Sequence, residues 1–153
     1  MLEPEIWFYR TTGRYGFLSN LYPCKIDFHD GKIFESVEAY YQYMKARDEK
    51  VGEWLISAPT PELIALAGHA LLPRHIRSDW KEIKETVMAI VIKKKFLQND
   101  ELREKLFATG DSKLIEASRS DAFWGIGKRG NGKNKLGKIL METREELRRL
   151  YRK

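Results

Sequence analysis

Residues 36–45, Ser-Val-Glu-Ala-Tyr-Tyr-Gln-Tyr-Met-Lys, constrain the fold more than any other stretch of the chain. The run holds no Gly or Pro, and Ser36 can cap a helix that starts behind it. The pattern predicts a helix from about 37 to 49. On a 3.6-residue period, Glu38, Tyr41, Gln42 and Lys45 then share one face, at i, i+3, i+4 and i+7. Val37, Tyr40 and Met44 form an apolar stripe beside it. A carboxylate, a carboxamide, a phenol and an amine fixed on one rigid face can handle a polar substrate by acid/base or Schiff-base chemistry. The plain alternative is a solvated helix face with a Glu/Lys pair.

The rest of the chain narrows the setting. With 153 residues, 42% hydrophobic and 33% charged, it predicts one folded domain over 1–153. No apolar stretch approaches the ~20 residues that span a bilayer, so no membrane association is expected. Residues 1–20 carry no apolar leader, and Cys24 is the only cysteine, which together predict a cytoplasmic protein without a disulfide. His29, His69 and His75 show no metal-ligand spacing with Cys24, so no metal is expected, and no cofactor either. Net charge is +6, yet residues 128–153 hold ten Lys/Arg against three Glu, and residues 1–127 balance at −1. The whole basic excess sits at one end, which suggests a phosphate-bearing partner or, more plainly, a charged final helix.

Local patterns set the remaining elements. Residues 5–10 read as a short strand. Segments 25–28 and 32–34 read as a hairpin around Asp30-Gly31. Gly52 to Ser57 and a segment opened by Thr60-Pro61 read as helices, the latter stopping at Gly68. Asp79-Trp80-Lys81-Glu82 carries a capping box for a long helix with Ile83, Val87, Ile90 and Val91 inward and Lys94 covering apolar surface with its stem. Residues 100–108 are a further helix and 113–117 a strand. Leu136, Ile139, Leu140, Thr143, Leu147 and Leu150 mark an amphipathic final helix. The class is α+β, a single domain, mainly helical with a few short N-terminal and central strands.

Four other motifs carry polar chemistry. Phe17-Leu18-Ser19-Asn20 puts a hydroxyl and a carboxamide on a tight turn, able to bind ribose or phosphate or to satisfy the turn itself. Arg77 beside Ser78-Asp79-Trp80 can grip a phosphate or a cap carboxylate. Asp121-Ala122-Phe123-Trp124-Gly125-Ile126-Gly127 sets Gly125 and Gly127 around an aliphatic residue behind a Trp that can stack on a base or pack in a core. Residues 130–137, with Asn134 before a helix start, read as an anion site or as a plain polar loop; the spacing is not that of a phosphate-binding P-loop. Glu116 falls on the strand before the Trp–Gly segment, where burial would demand a partner or a role.

In order, F-L-S-N (17–20), E-S-V-E-A-Y-Y-Q-Y-M-K (35–45), R-S-D-W (77–80), K-F-L-Q-N (95–99), T-G-D (109–111), L-I-E-A-S (114–118), D-A-F-W-G-I-G (121–127), G-K-N-K-L-G (132–137) and L-M-E-T-R (140–144) resemble the NADAR family, the NAD- and ADP-ribose-associated or YbiA-like domain. The resemblance covers residues 8 to 150. Ala39 stands where many members carry a His, and His69 where an Arg is frequent. The resemblance implies an N-glycosidase of ribosyl phosphates, with a pocket lined by Glu38, Lys45, Trp80 and Trp124. Two activities go with the family: removal of ADP-ribose from modified guanine in nucleic acid, and cleavage of early riboflavin-pathway intermediates with release of ribose 5-phosphate.

The residues suit that chemistry. Lys45 is the expected Schiff-base nucleophile and Glu38 its proton shuttle, with Asp121 or Glu116 as second carboxylate. Direct water attack through an oxocarbenium-like state is the alternative. Ser19, Asn20, Tyr41, Gln42, Arg77, Trp80, Trp124, Gly125, Gly127 and Asn134 are the expected substrate contacts. The expected partner is a ribosyl-phosphate or ADP-ribosyl substrate. The basic end favours ADP-ribosylated guanine and single-stranded nucleic acid over the riboflavin intermediates. A non-catalytic nucleotide-binding module would explain the charge, but not the pairing of Glu38 with Lys45.

Overall fold

The computed structural model describes residues 3–152, and its fold is α+β and mainly helical, as the sequence predicts. Met1, Leu2 and Lys153, the ends of the expected 1–153 domain, lie outside the described residues. The chain gathers into two compact units. One is the contiguous stretch Asn20–Lys95; the other is made from both chain ends, up to Ser19 and from Phe96 onward. No helix among the described residues is long and apolar enough to cross a membrane.

The contiguous unit opens with a small hairpin. Strands β2 (Ile26–Asp27) and β3 (Ile33–Phe34) pair antiparallel with Ile26 opposite Phe34. Gly31 takes φ 94° in the turn, a conformation with little penalty only for glycine. Helix α1 (Val37–Lys45) follows, started by Ser36, whose buried hydroxyl accepts from the Ala39 amide at 3.0 Å. Phe28 stacks on Tyr40 at 4.1 Å, so the apolar stripe of α1 is pressed on the hairpin.

Helix α1 stops at Lys45 rather than near 49, because distant backbone competes for its next groups. Ala46 is extended and bridges Ile76, Arg47 N donates to His75 O at 2.8 Å, and Arg77 N donates to Lys45 O at 3.1 Å. Asp48 then caps α2 (Glu49–Ile56) through the Val51 amide at 2.9 Å. Thr60 caps α3 (Pro61–His69) through the Leu63 amide, with Pro61 at the first helical position. Helix α4 (Trp80–Gln98) begins directly behind Asp79. Its inward residues are Val87, Met88, Val91 and Ile92, while Ile90, expected inside, is 44% exposed. Lys95 is the large surprise on α4. Its side chain is fully buried, its ammonium 5.7 Å from the Tyr22 ring centre, and desolvation pushes its pKa down to about 8. Lys94 instead places its ammonium 5.0 Å from the Phe28 ring centre.

In the unit made from the chain ends, β1 (Ile6–Phe8) pairs parallel with β4 (Leu114–Glu116), Ile6 opposite Leu114. Gly16–Leu18 form one 3-10 turn, with Ser19 buried at its end. Helices α5 (Asp100–Ala108) and α6 (Lys135–Tyr151) complete the unit. Leu136, Ile139, Leu140 and Leu147 of α6 are buried as expected, and Leu150 is not. Two basic residues of α6 turn inward instead. Arg144 is buried and donates to Thr109 Oγ1 at 2.9 Å, and Arg148 pairs with Asp111 at 2.7 Å.

Candidate functional site

The polar face of α1 is not solvated. Glu38, Tyr41 and Gln42 are all buried, and Lys45 is half-buried. Gln42 Nε2 donates to Glu38 Oε1 at 2.8 Å, one helical turn apart. Lys45 Nζ donates to the Gly68 carbonyl of α3 at 2.9 Å. Desolvation holds the Lys45 pKa below the ordinary lysine value; the Glu38 charge opposes that shift and Lys84 adds to it. An amine with part of its hydration removed is a better nucleophile near neutral pH than a surface lysine.

Gly68 ties the cluster together, and the sequence gives only a faint sign of it. Helix α3 runs through Gly68 to His69 instead of stopping there. A β-carbon at position 68 would stand 2.0 Å from Gln42 Oε1. Glycine inside a helix costs roughly 1 kcal/mol against alanine. Here the missing side chain makes room for the Gln42 carboxamide. Gln42 Oε1 is buried and has no hydrogen-bond partner among the described residues. A buried acceptor left open is expensive.

The neighbours of this face are placed as follows. The Asn20 carbonyl accepts from the Glu38 amide at 3.0 Å, and Asn20 Nδ2 reaches Met88 Sδ at 3.5 Å. Trp80 is buried and meets Tyr41 edge-on, ring centres 4.9 Å apart. Arg77 spends its fork on Asp79, at 2.6 and 3.1 Å, which pins the chain ahead of α4. Its guanidinium is thus already carboxylate-bound where the sequence suggested a phosphate grip.

The remaining expected residues belong to the other unit. Glu116 ends β4 with its Oε2 accepting from the Ser118 amide at 2.8 Å. Burial pushes its pKa up to about 7; the Ser118 hydrogen bond works against the shift and Asp121 adds to it. Gly125 is explained by this carboxylate, because a β-carbon there would lie 2.6 Å from Glu116 Oε2. Asp121 is a turn former: its Oδ1 accepts from the Phe123 and Trp124 amides at 2.9 and 2.8 Å. Trp124 is half-buried and packs edge-on against Phe123, ring centres 4.8 Å apart. Gly127 adopts φ 70°.

Asn134 takes a structural position rather than an open one. It is buried in the left-handed region at φ 49°, its Oδ1 accepts from Glu116 N at 2.9 Å, and its Nδ2 donates to Leu114 O at 3.0 Å. The carboxamide thereby continues the pairing of β4. The first amides of α6 are spent as well: Lys135 N donates to Phe123 O at 3.0 Å and Leu136 N to Trp124 O at 3.1 Å. The anion site expected at this helix start therefore lacks those two donors. Sequence reasoning missed this because every one of these partners is remote in the chain.

This architecture has known counterparts. A NADAR domain model matches residues 7–148. The N-glycosidase YbiA of Escherichia coli strain K12 is 40% identical over 149 residues, covering 96% of this chain and 91% of that protein. A riboflavin biosynthesis protein of Vibrio vulnificus is 41% identical over 148 residues; the chain spans only 40% of its length. The NMR structure of Escherichia coli YbiA superposes with a TM-score of 0.87 at 39% identity, covering the whole of this chain and 91% of that one. The chain belongs to the NADAR domain family.

Proposed function

We propose that this chain is an N-glycosidase that breaks the bond between an amine or base nitrogen and the anomeric carbon of a ribosyl phosphate. The observation that carries the reading is the α1 face: Lys45 half-buried with its pKa lowered, and Glu38 buried on the same face. In an open-chain N-riboside the anomeric carbon is an imine. The Lys45 amine adds to that carbon, the substrate nitrogen leaves as the amine after taking a proton, and a lysine imine remains. Water adds to the imine, the carbon–lysine bond breaks, and the sugar leaves as its aldehyde. Glu38 moves the protons. Of the two further carboxylates the sequence offers, Asp121 is occupied by turn amides, and burial keeps Glu116 protonated to about pH 7.

For the substrate we favour a small ribosyl phosphate of the kind met in riboflavin synthesis, on the strength of the name carried by the Vibrio relative. This reverses the preference drawn from charge alone. ADP-ribose on guanine is the second reading, and the excess of ten basic over three acidic residues in 128–153 supports it.

Purified protein is incubated with an N-ribosyl phosphate aminopyrimidine and, separately, with DNA bearing ADP-ribosylguanine. Turnover of either is expected to vanish in Lys45→Ala with the fold retained. Borohydride added during turnover is expected to trap a sugar on Lys45. A fully active Lys45→Arg variant with no trapped adduct would sink the imine route in favour of direct water attack. Binding without turnover of either substrate would make the chain a non-catalytic module.

A further inference from the structure

Strand β1 and the residue that follows it present two large rings to solvent. Trp7 and Tyr9 alternate with buried Ile6 and Phe8, and they are 54% and 56% exposed. Tyr9 lies just past the end of β1, and both rings line one groove. Exposed aromatics that share a groove offer faces on which unpaired bases stack.

The groove beside these rings holds about 310 Å³ and is also lined by Arg10, Arg14 and Tyr15. The Arg14 guanidinium lies 5.3 Å from the Tyr15 ring centre. Among the described residues, no carboxylate lines the groove. Glu5, two residues before Trp7, is not among the lining residues. Rings without charge would suit a second copy of the chain, but a two-fold contact would set Arg10 and Arg14 of each copy against their own images. Rings with arginines and no acid complement a chain of bases and phosphates.

We propose that this face binds single-stranded nucleic acid, with bases stacked on Trp7 and Tyr9 and phosphates met by Arg10 and Arg14. The surface stands apart from the glycosidase reading, because it uses none of the residues of the α1 face and each can fail alone.

The test is fluorescence anisotropy of a labelled oligothymidylate titrated with the full chain. Trp7→Ala and Tyr9→Ala are each expected to weaken binding roughly 5- to 150-fold, the range for loss of one base–aromatic stack. Trp7→Phe and Tyr9→Phe are expected to keep most of the affinity. Arg10→Ala with Arg14→Ala is expected to flatten the log–log salt slope by about 1.4, at ~0.7 per phosphate on a single strand. These four positions are expected to leave small-substrate turnover and melting temperature unchanged. The proposal is overturned by absence of binding, by unchanged affinity in the alanine variants, or by loss of binding only when Lys133, Lys135 and Lys138 are charge-reversed. Equal binding of polyglutamate, or a concentration-dependent dimer abolished by Trp7→Ala, would assign the face to an acidic peptide or to a second copy and overturn it equally. Should the alanine variants unfold, the phenylalanine and arginine variants decide the question.

Discussion

Glu116 shows how a single side chain can couple fold and pH. Its carboxyl is raised from 4.5 to about 7 by burial, so between those values the folded chain holds a proton that the unfolded chain has released. The stability contributed by protonated Glu116 is complete below the unfolded value and is lost as pH rises through about 7. The melting temperature of the native protein is therefore expected to fall from about pH 5 to about pH 8, and Glu116→Gln, neutral throughout, is expected to flatten that part of the profile. A parallel decline in both proteins would remove Glu116 as its cause. Lys45 and Gly68 make the companion case at this scale. The lysine was legible because helical periodicity set it with Glu38. Its acceptor was not, because a backbone carbonyl 23 positions away has no sequence signature.

Among the elements, the legible ones announce their own ends. Ser36 and Thr60 each accept from a backbone amide three residues on and start a helix; Asp48 does the same, although the pattern placed it inside the first helix. Ser36 is buried, so its hydroxyl has no water to replace the bond it makes. Ser36→Ala is expected to lower stability by about 1 kcal/mol in urea unfolding at unchanged slope. A loss near zero would mean that α1 is held by packing alone. What the sequence hid were ends and contacts decided from afar. Helix α1 has no glycine or proline to stop it, and Ile76 and His75 halt it instead. The inward side of α4 takes Lys95, which any hydropathy pattern would turn out to water. Asn134 resembles a loop residue in sequence and serves as a rung beside β4 in space.

For the whole molecule, the family membership and the α+β class were both readable from ordered motifs. The charge distribution needed the structure. Of the basic residues at 128–152, Arg144 and Arg148 turn toward Thr109 and Asp111, so the outward positive surface is smaller than the composition suggests. Pairing of Ile6 with Leu114 has a further consequence, in time. Asn20–Lys95 is contiguous, whereas its companion draws on residues before 20 and after 95. During synthesis, β1 leaves the ribosome before β4 and α6 and waits for them, the chain emerging at about 5–20 residues per second. Ribosome-stalled chains ending before Leu114 are expected to protect the 20–95 stretch from protease while Trp7 to Arg14 is still cleaved. Protection of both at that length would show that the early strand has found a temporary partner. Until α6 is made, the rings of Trp7 and Tyr9 and the apolar Ile6 and Phe8 are exposed together, which makes the segment around β1 the one most in need of a chaperone.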